Sequence, residues 1–142
     1  FIGHSLGASF NLKSDVDRDS KFIFVNPLVK KRRRFFHFVS WIRFLVFEGF
    51  AINKAVPVRY WRHVFKQASV LLEVDVLERM KRIPRENIII IRGIYDDYFC
   101  DKESAGIFKA GDFELIEVEA GHDWNGNVAK AIADIIGNRQ LP

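Results

Sequence analysis

Four isoleucines, Ile88 to Ile91, stand in an unbroken row and are stopped by Gly93. A run this short, with no polar member, is too brief for a helix and has the composition of a strand covered on both faces. Phe22-Ile23-Phe24-Val25-Asn26 is a second such run, and Pro27 ends it. Strands covered on both faces belong to parallel sheets with helices on either side. Two of them in 142 residues therefore restrict the chain to an α/β architecture before any other feature is considered.

The remaining patterns agree with that class. Phe113 to Glu119 alternates, with Ile116, Val118 and Ala120 on one face and Glu117 and Glu119 on the other, as on a half-exposed strand. Phe1-Ile2 reads as the end of a further strand, and Leu6 to Lys13 as the helix after it. Ser14 to Lys21 is polar and reads as a loop. Lys66 to Arg82 is expected to be one amphipathic helix with Leu71, Val74 and Leu77 inward, stopped by Pro84. Gly126 to Arg139 is expected to close the chain with a helix carrying Val128, Ile132, Ile135 and Ile136 on one stripe. Phe35 to Phe65 holds half of the aromatics, Trp41 and Trp61 among them, and its pattern suggests short helices broken near Gly49 and Pro57. The division that follows is a core from 1–29 and 66–142, with a helical insertion at 30–65 that forms a lid over a site.

Composition narrows the function classes. A hydrophobic content of 49% and a charged content of 28% are ordinary for a soluble globular protein. A single cysteine, Cys100, excludes an internal disulfide and argues against a metal cluster. With no leader pattern at Phe1, a reducing, cytoplasmic location is the expectation. The net charge is +4, and five positive charges fall in the run Lys30, Lys31, Arg32, Arg33 and Arg34, which leaves the remainder at −1. That is a local cationic patch, without the extended basic face that a nucleic acid requires.

On open parallel sheets the functional loops follow the carboxyl ends of strands. Three such ends carry chemistry here. Ser5 follows the first, inside Gly3-His4-Ser5-Leu6-Gly7. Gly93-Ile94-Tyr95-Asp96-Asp97 follows the isoleucine run, and Gly121-His122 follows the alternating strand. A serine hydroxyl needs a neighbouring base to remove its proton as it attacks, and an imidazole titrating near neutral pH can supply one. A carboxylate fixes the tautomer of that imidazole and stabilises its charged form. Taken singly, Ser5 also reads as a polar residue of a Gly-rich turn, His122 as a surface histidine and Trp124 as a packing residue. Their order and placement together carry the assignment.

With these motifs in view, the chain resembles the carboxyl-terminal half of an α/β-hydrolase fold enzyme. Gly-His-Ser-Leu-Gly at 3–7 is similar to the family's nucleophile elbow, and Phe-Val-Asn-Pro at 24–27 to the strand that follows it. Gly93 to Phe99 resembles its acid loop and Ala120-Gly121-His122 its histidine loop, while the insertion at 30–65 matches the position of a variable cap. The resemblance implies a partial α/β-hydrolase fold with flanking helices and a cap. It also implies a serine hydrolase acting, without cofactor or metal, on an ester or related acyl bond with a hydrophobic acyl or aryl part. Ser5 is then the nucleophile, His122 the base and Asp96 the acid, with Asp97 the alternative acid and the Leu6 amide a donor to the oxyanion. Gly3 and Gly7 are expected to relieve crowding at the elbow. Asp123 is read as a decoy, His4 as a residue that packs or orients backbone, His37 and His63 as structural, and Cys100 as a small buried hydrophobe.

Two further expectations follow. In the resembled family several strands precede the elbow, and one of their loops supplies a second oxyanion donor. With only Phe1 and Ile2 ahead of it here, the chain is expected to be a fragment, prone to oligomerise through an unpaired sheet edge and inactive alone. The second reading is a membrane-surface or partner-binding α/β-hydrolase-like protein without catalysis. The basic run Lys30 to Arg34 beside an apolar, aromatic stretch resembles a peripheral lipid anchor, and Arg43 and Glu48 argue against a span.

Overall fold

The computed structural model describes residues 1–14, 17, 19–29, 39, 42–43 and 57–139. Its centre is a four-stranded, wholly parallel sheet in sequence order: β1 (Ile2–His4), β2 (Phe22–Val25), β3 (Ile88–Gly93) and β4 (Glu114–Val118). Ile2 lies beside Ile23, Phe22 beside Ile88 and Ile89 beside Glu114. β1 runs two residues further than the sequence suggests, ending immediately before Ser5.

The unbroken apolar runs are explained by helices on both faces. Phe22, Phe24, Ile88 and Ile90 point to one side, into a core with Ala8 and Leu12 of α1 (Leu6–Lys13), Val76 and Met80 of α3 (Val76–Met80) and Phe108 of α4 (Lys102–Ala110). Ile23, Val25 and Ile91 point to the other, against Val128 and Ile132 of α5 (Gly126–Arg139). The side-chain period of a strand is two, so a strand flanked on both faces must be apolar at every position. Full burial of each such isoleucine is worth about 1.5–3 kcal/mol, and the row in β3 is essentially inaccessible to water.

Two local expectations are corrected. Lys66 to Arg82 is not one helix. α2 (Trp61–Leu72) ends, and Asp75 starts α3 by accepting the Glu78 amide on its carboxylate at 3.1 Å. The inward set gains the buried Val76 and Met80, while Leu71, Val74 and Leu77 are only partly covered. Ile136 is exposed, because Ala131, Ile135, Val128 and Ile132 already span the face of α5 that meets the sheet. Ile136 falls about 80° around the helix from Val128, beyond that stripe. Most of the insertion expected at 30–65, with the basic run Lys30 to Arg34 and the break near Gly49, lies outside the described residues. α2 is continuous across the boundary expected at 65. Among the described residues no helix is long and apolar enough to cross a membrane.

Candidate active site

The three strand ends converge because neighbouring parallel strands are in register. Ser5 follows β1, and its backbone is forced to φ 53° and ψ −119° as the strand turns into α1. A residue with a Cβ reaches that conformation only under strain, and such strain is sustained where the surroundings over-determine it. Here the Ser5 amide donates to the carbonyl of Val25 at 2.9 Å, and the Ser5 carbonyl accepts from Ala8 at 3.1 Å. Gly3 makes the turn feasible, since a Cβ there would sit 2.8 Å from the Ala8 nitrogen. Gly7 does not share that role: a Cβ on it meets nothing among the described residues, so the crowding expected at that position is absent.

Asp96 follows β3 and is completely buried. Its Oδ1 accepts from the amides of Tyr98 at 3.0 Å and Phe99 at 3.1 Å, and its Oδ2 from Cys100 at 3.2 Å. The loop that makes these bonds is fastened by the buried Arg92, whose Nε donates to the Cys100 carbonyl at 2.7 Å. Gly93 lets the histidine loop come close, for a Cβ at that position would run into the carbonyls of Ala120 and Gly121.

His122 joins the two. Its Nδ1 lies 2.7 Å from Asp96 Oδ2 and its Nε2 3.0 Å from Ser5 Oγ. An ionised carboxylate can only accept, so Nδ1 carries the proton and donates to Asp96, and the neutral ring is left with an acceptor at Nε2 for the Ser5 hydroxyl. Burial pushes the Asp96 carboxyl up. The His122 hydrogen bond, electrostatic attraction to that side chain and the Phe99 and Tyr98 amides together outweigh it and hold the group below the ordinary carboxylate value. The ring of Phe99 meets the imidazole edge-on at 4.7 Å and covers that side.

The other candidates fall into place around this relay. Leu6 is the first residue of α1, so its amide is among those a helix start leaves without an internal acceptor. Asp97 and Asp123 are exposed, and the imidazole nitrogen that either would need is occupied by Asp96. His4 Nε2 donates to the His122 carbonyl at 2.7 Å, and its ring stands 5.2 Å from that of His122. Burial and then the charge of His122 lower its pKa, while the carbonyl bond and the nearby Asp123 and Asp96 oppose the shift. Trp124 is half exposed and lies edge-on to His4 at 6.3 Å. Cys100 is buried, and burial drives its thiol pKa upward, so it carries no thiolate. Among the described residues no group of three or more histidine, cysteine or carboxylate side chains is placed to hold a metal ion.

Asn26 is the residue that sequence reasoning missed. It follows β2, is fully buried, and adopts φ 45°. Its side chain bonds Gly93, Gly121 and His122. An amide at the end of an otherwise apolar strand, just before Pro27, was the available signal.

Neither the protein-family models nor the curated proteins contain a match to this chain. Among solved structures it is similar to MGS-M2, an α/β hydrolase enzyme from a Medee basin deep-sea metagenome library, with 17% sequence identity and a TM-score of 0.51. The match covers 99% of this chain and 64% of that one, so the chain spans less than two thirds of its neighbour's length. At this identity the likeness is one of backbone architecture, and the fold of this chain is that of the α/β hydrolases.

Proposed function

We propose that this chain carries the catalytic relay of a serine hydrolase acting on an ester or related acyl bond. The observation that supports the reading is the unbroken line from Asp96 Oδ2 through His122 to Ser5 Oγ, with a buried acid at one end and a strained serine at the other. In the reaction, His122 Nε2 takes the Ser5 proton while Oγ attacks the acyl carbon. Asp96 keeps the Nδ1 proton in place and stabilises the imidazolium. The oxyanion that forms is offered the Leu6 amide. His122 then gives its proton to the departing alcohol, and a water activated by the same nitrogen releases the acyl group from Ser5.

The substrate class is the hydrophobic acyl or aryl ester that the aromatic-rich insertion at 30–65 favours, since apolar pockets bind by burial. Phe99 against the His122 imidazole and the half-exposed Trp124 edge-on to His4 support the same preference. A panel of nitrophenyl esters of rising acyl length, offered to the full-length protein, tests this reading. Turnover that grows with acyl length or aromatic content and vanishes in Ser5→Ala is expected. Turnover unchanged in Ser5→Ala contradicts the relay, and indifference to the acyl group contradicts the substrate class.

A further inference from the structure

We infer that Asn26 is the positioning residue of the relay, a buried amide that fixes the His122 loop and the start of the acid loop to a single point at the end of β2. The inference rests on the hydrolase reading for its kinetic consequence, although its geometric content stands without it.

Every hydrogen-bonding group of the side chain is engaged. Nδ2 donates to the Gly121 carbonyl at 3.0 Å and to the His122 carbonyl at 2.9 Å, and Oδ1 accepts from the Gly93 amide at 2.8 Å. The orientation of the amide is not arbitrary. A backbone N–H can only donate and a carbonyl can only accept, so the reverse orientation would set Oδ1 against two carbonyls and Nδ2 against an N–H. The main chain of Asn26 adds a fourth tie, its amide donating to the Ile91 carbonyl at 2.9 Å.

The points tied are those that decide the relay's geometry. Gly93 stands three residues before Asp96, and its carbonyl accepts the Asp96 amide at 3.1 Å. Gly121 and His122 carry the base. Ser5 hangs from Val25, the residue immediately before Asn26, through its own amide. One side chain at the end of the central β2 therefore sets the separation of loops that bring together residues far apart in sequence. His4 shares one acceptor by donating to the His122 carbonyl.

The residue type follows from two demands. The backbone lies at φ 45°, where asparagine is tolerated better than most side chains. The environment requires two donors and one acceptor on a short stem. Asparagine meets both. Aspartate meets the first and accepts from Gly93 but has no donors for the carbonyls. Glycine meets the first and offers no side-chain partner.

The experiment uses full-length Asn26→Gly and Asn26→Asp proteins, with folding checked by circular dichroism. Two readouts are taken: the far-downfield proton resonance of His122 Nδ1–H on Asp96, and the rate at which a fluorophosphonate modifies Ser5. A misplacement of about 1 Å at a catalytic group costs roughly 10²-fold in rate. Asn26→Gly is expected to lose or broaden the resonance and to slow modification about 10²-fold while remaining folded. If Asn26→Gly does not fold, Asn26→Asp is judged by the same two readouts. A resonance missing from the parent, or unchanged in the folded variant with modification within about twofold of the parent, overturns the inference. The resonance needs no substrate, so an unreactive Ser5 in the parent counts against the hydrolase reading alone, and Asn26 is then judged on the resonance.

Discussion

Ser5 holds a conformation that its Cβ disfavours, at φ 53°. Strain of this kind costs on the order of 1–3 kcal/mol, and a glycine would be relieved of it at an entropic cost of roughly 0.5–1 kcal/mol. Ser5→Gly is therefore expected to be about 1 kcal/mol more stable than Ser5→Ala in urea unfolding, with both inactive. Equal stabilities would mean that the elbow is not strained. Asp96 poses the opposite case, a buried carboxylate with four donors around it. Asp96→Asn keeps the shape but favours the wrong imidazole tautomer, and turnover should fall about 10⁴-fold.

His4 and Asp96 both tie stability to pH. The His4 pKa is lowered on folding, so between its folded value and about 6.5 the unfolded chain holds the extra proton and stability falls on acidification. The Asp96 pKa is also lowered, and its contribution is intact above about 3.9 and lost as the pH drops through the folded value. His4→Gln retains a donor for the His122 carbonyl without a titrating ring. Its melting temperature should decline less than the parent's from pH 7.5 down to 5. An identical decline in both would remove His4 from the account.

At the level of elements, the strands were legible and the fine structure of the helices was not. Two all-apolar runs fixed β2 and β3, because nothing but a strand covered on both faces tolerates four consecutive large hydrophobes at that length. The break between α2 and α3 escaped because hydrophobic periodicity carries through Val74 and Leu77. It is Asp75, accepting the Glu78 amide, that restarts the helix. The exposure of Ile136 escaped because a stripe read by spacing does not reveal how wide a face the neighbouring sheet can cover. The placement of Ser5, Asp96 and His122 past strand ends was legible in their order along the chain. Asn26 was not, since its role depends on two loops that only the folded sheet brings to it. Gly93→Ala tests that close approach. The added methyl must push the Ala120–Gly121 backbone aside, so a stability loss of about 1–3 kcal/mol and a fall in turnover should occur together. Ile90→Ala, on the core face of β3 away from the relay, should cost about 2–5 kcal/mol in stability with little change in turnover.

Across the whole molecule, a sheet core covered on both faces carries three loops at one end, and one buried hydrogen-bond line runs between them. The core is apolar and the hydrogen-bonded line is polar. They meet at the carboxyl ends of β1, β2 and β3, where Ser5 and Asn26 follow their strands and Gly93 closes its own. The proposed function requires this line to make Ser5 a nucleophile. Its most direct test is peptide mapping by mass spectrometry after treating the full-length protein with a fluorophosphonate. The adduct should be found on Ser5 in the parent, be absent from Ser5→Ala, and form at least about 10³-fold more slowly in His122→Ala. An adduct on another residue, or an equal rate of formation on Ser5 without His122, would contradict it.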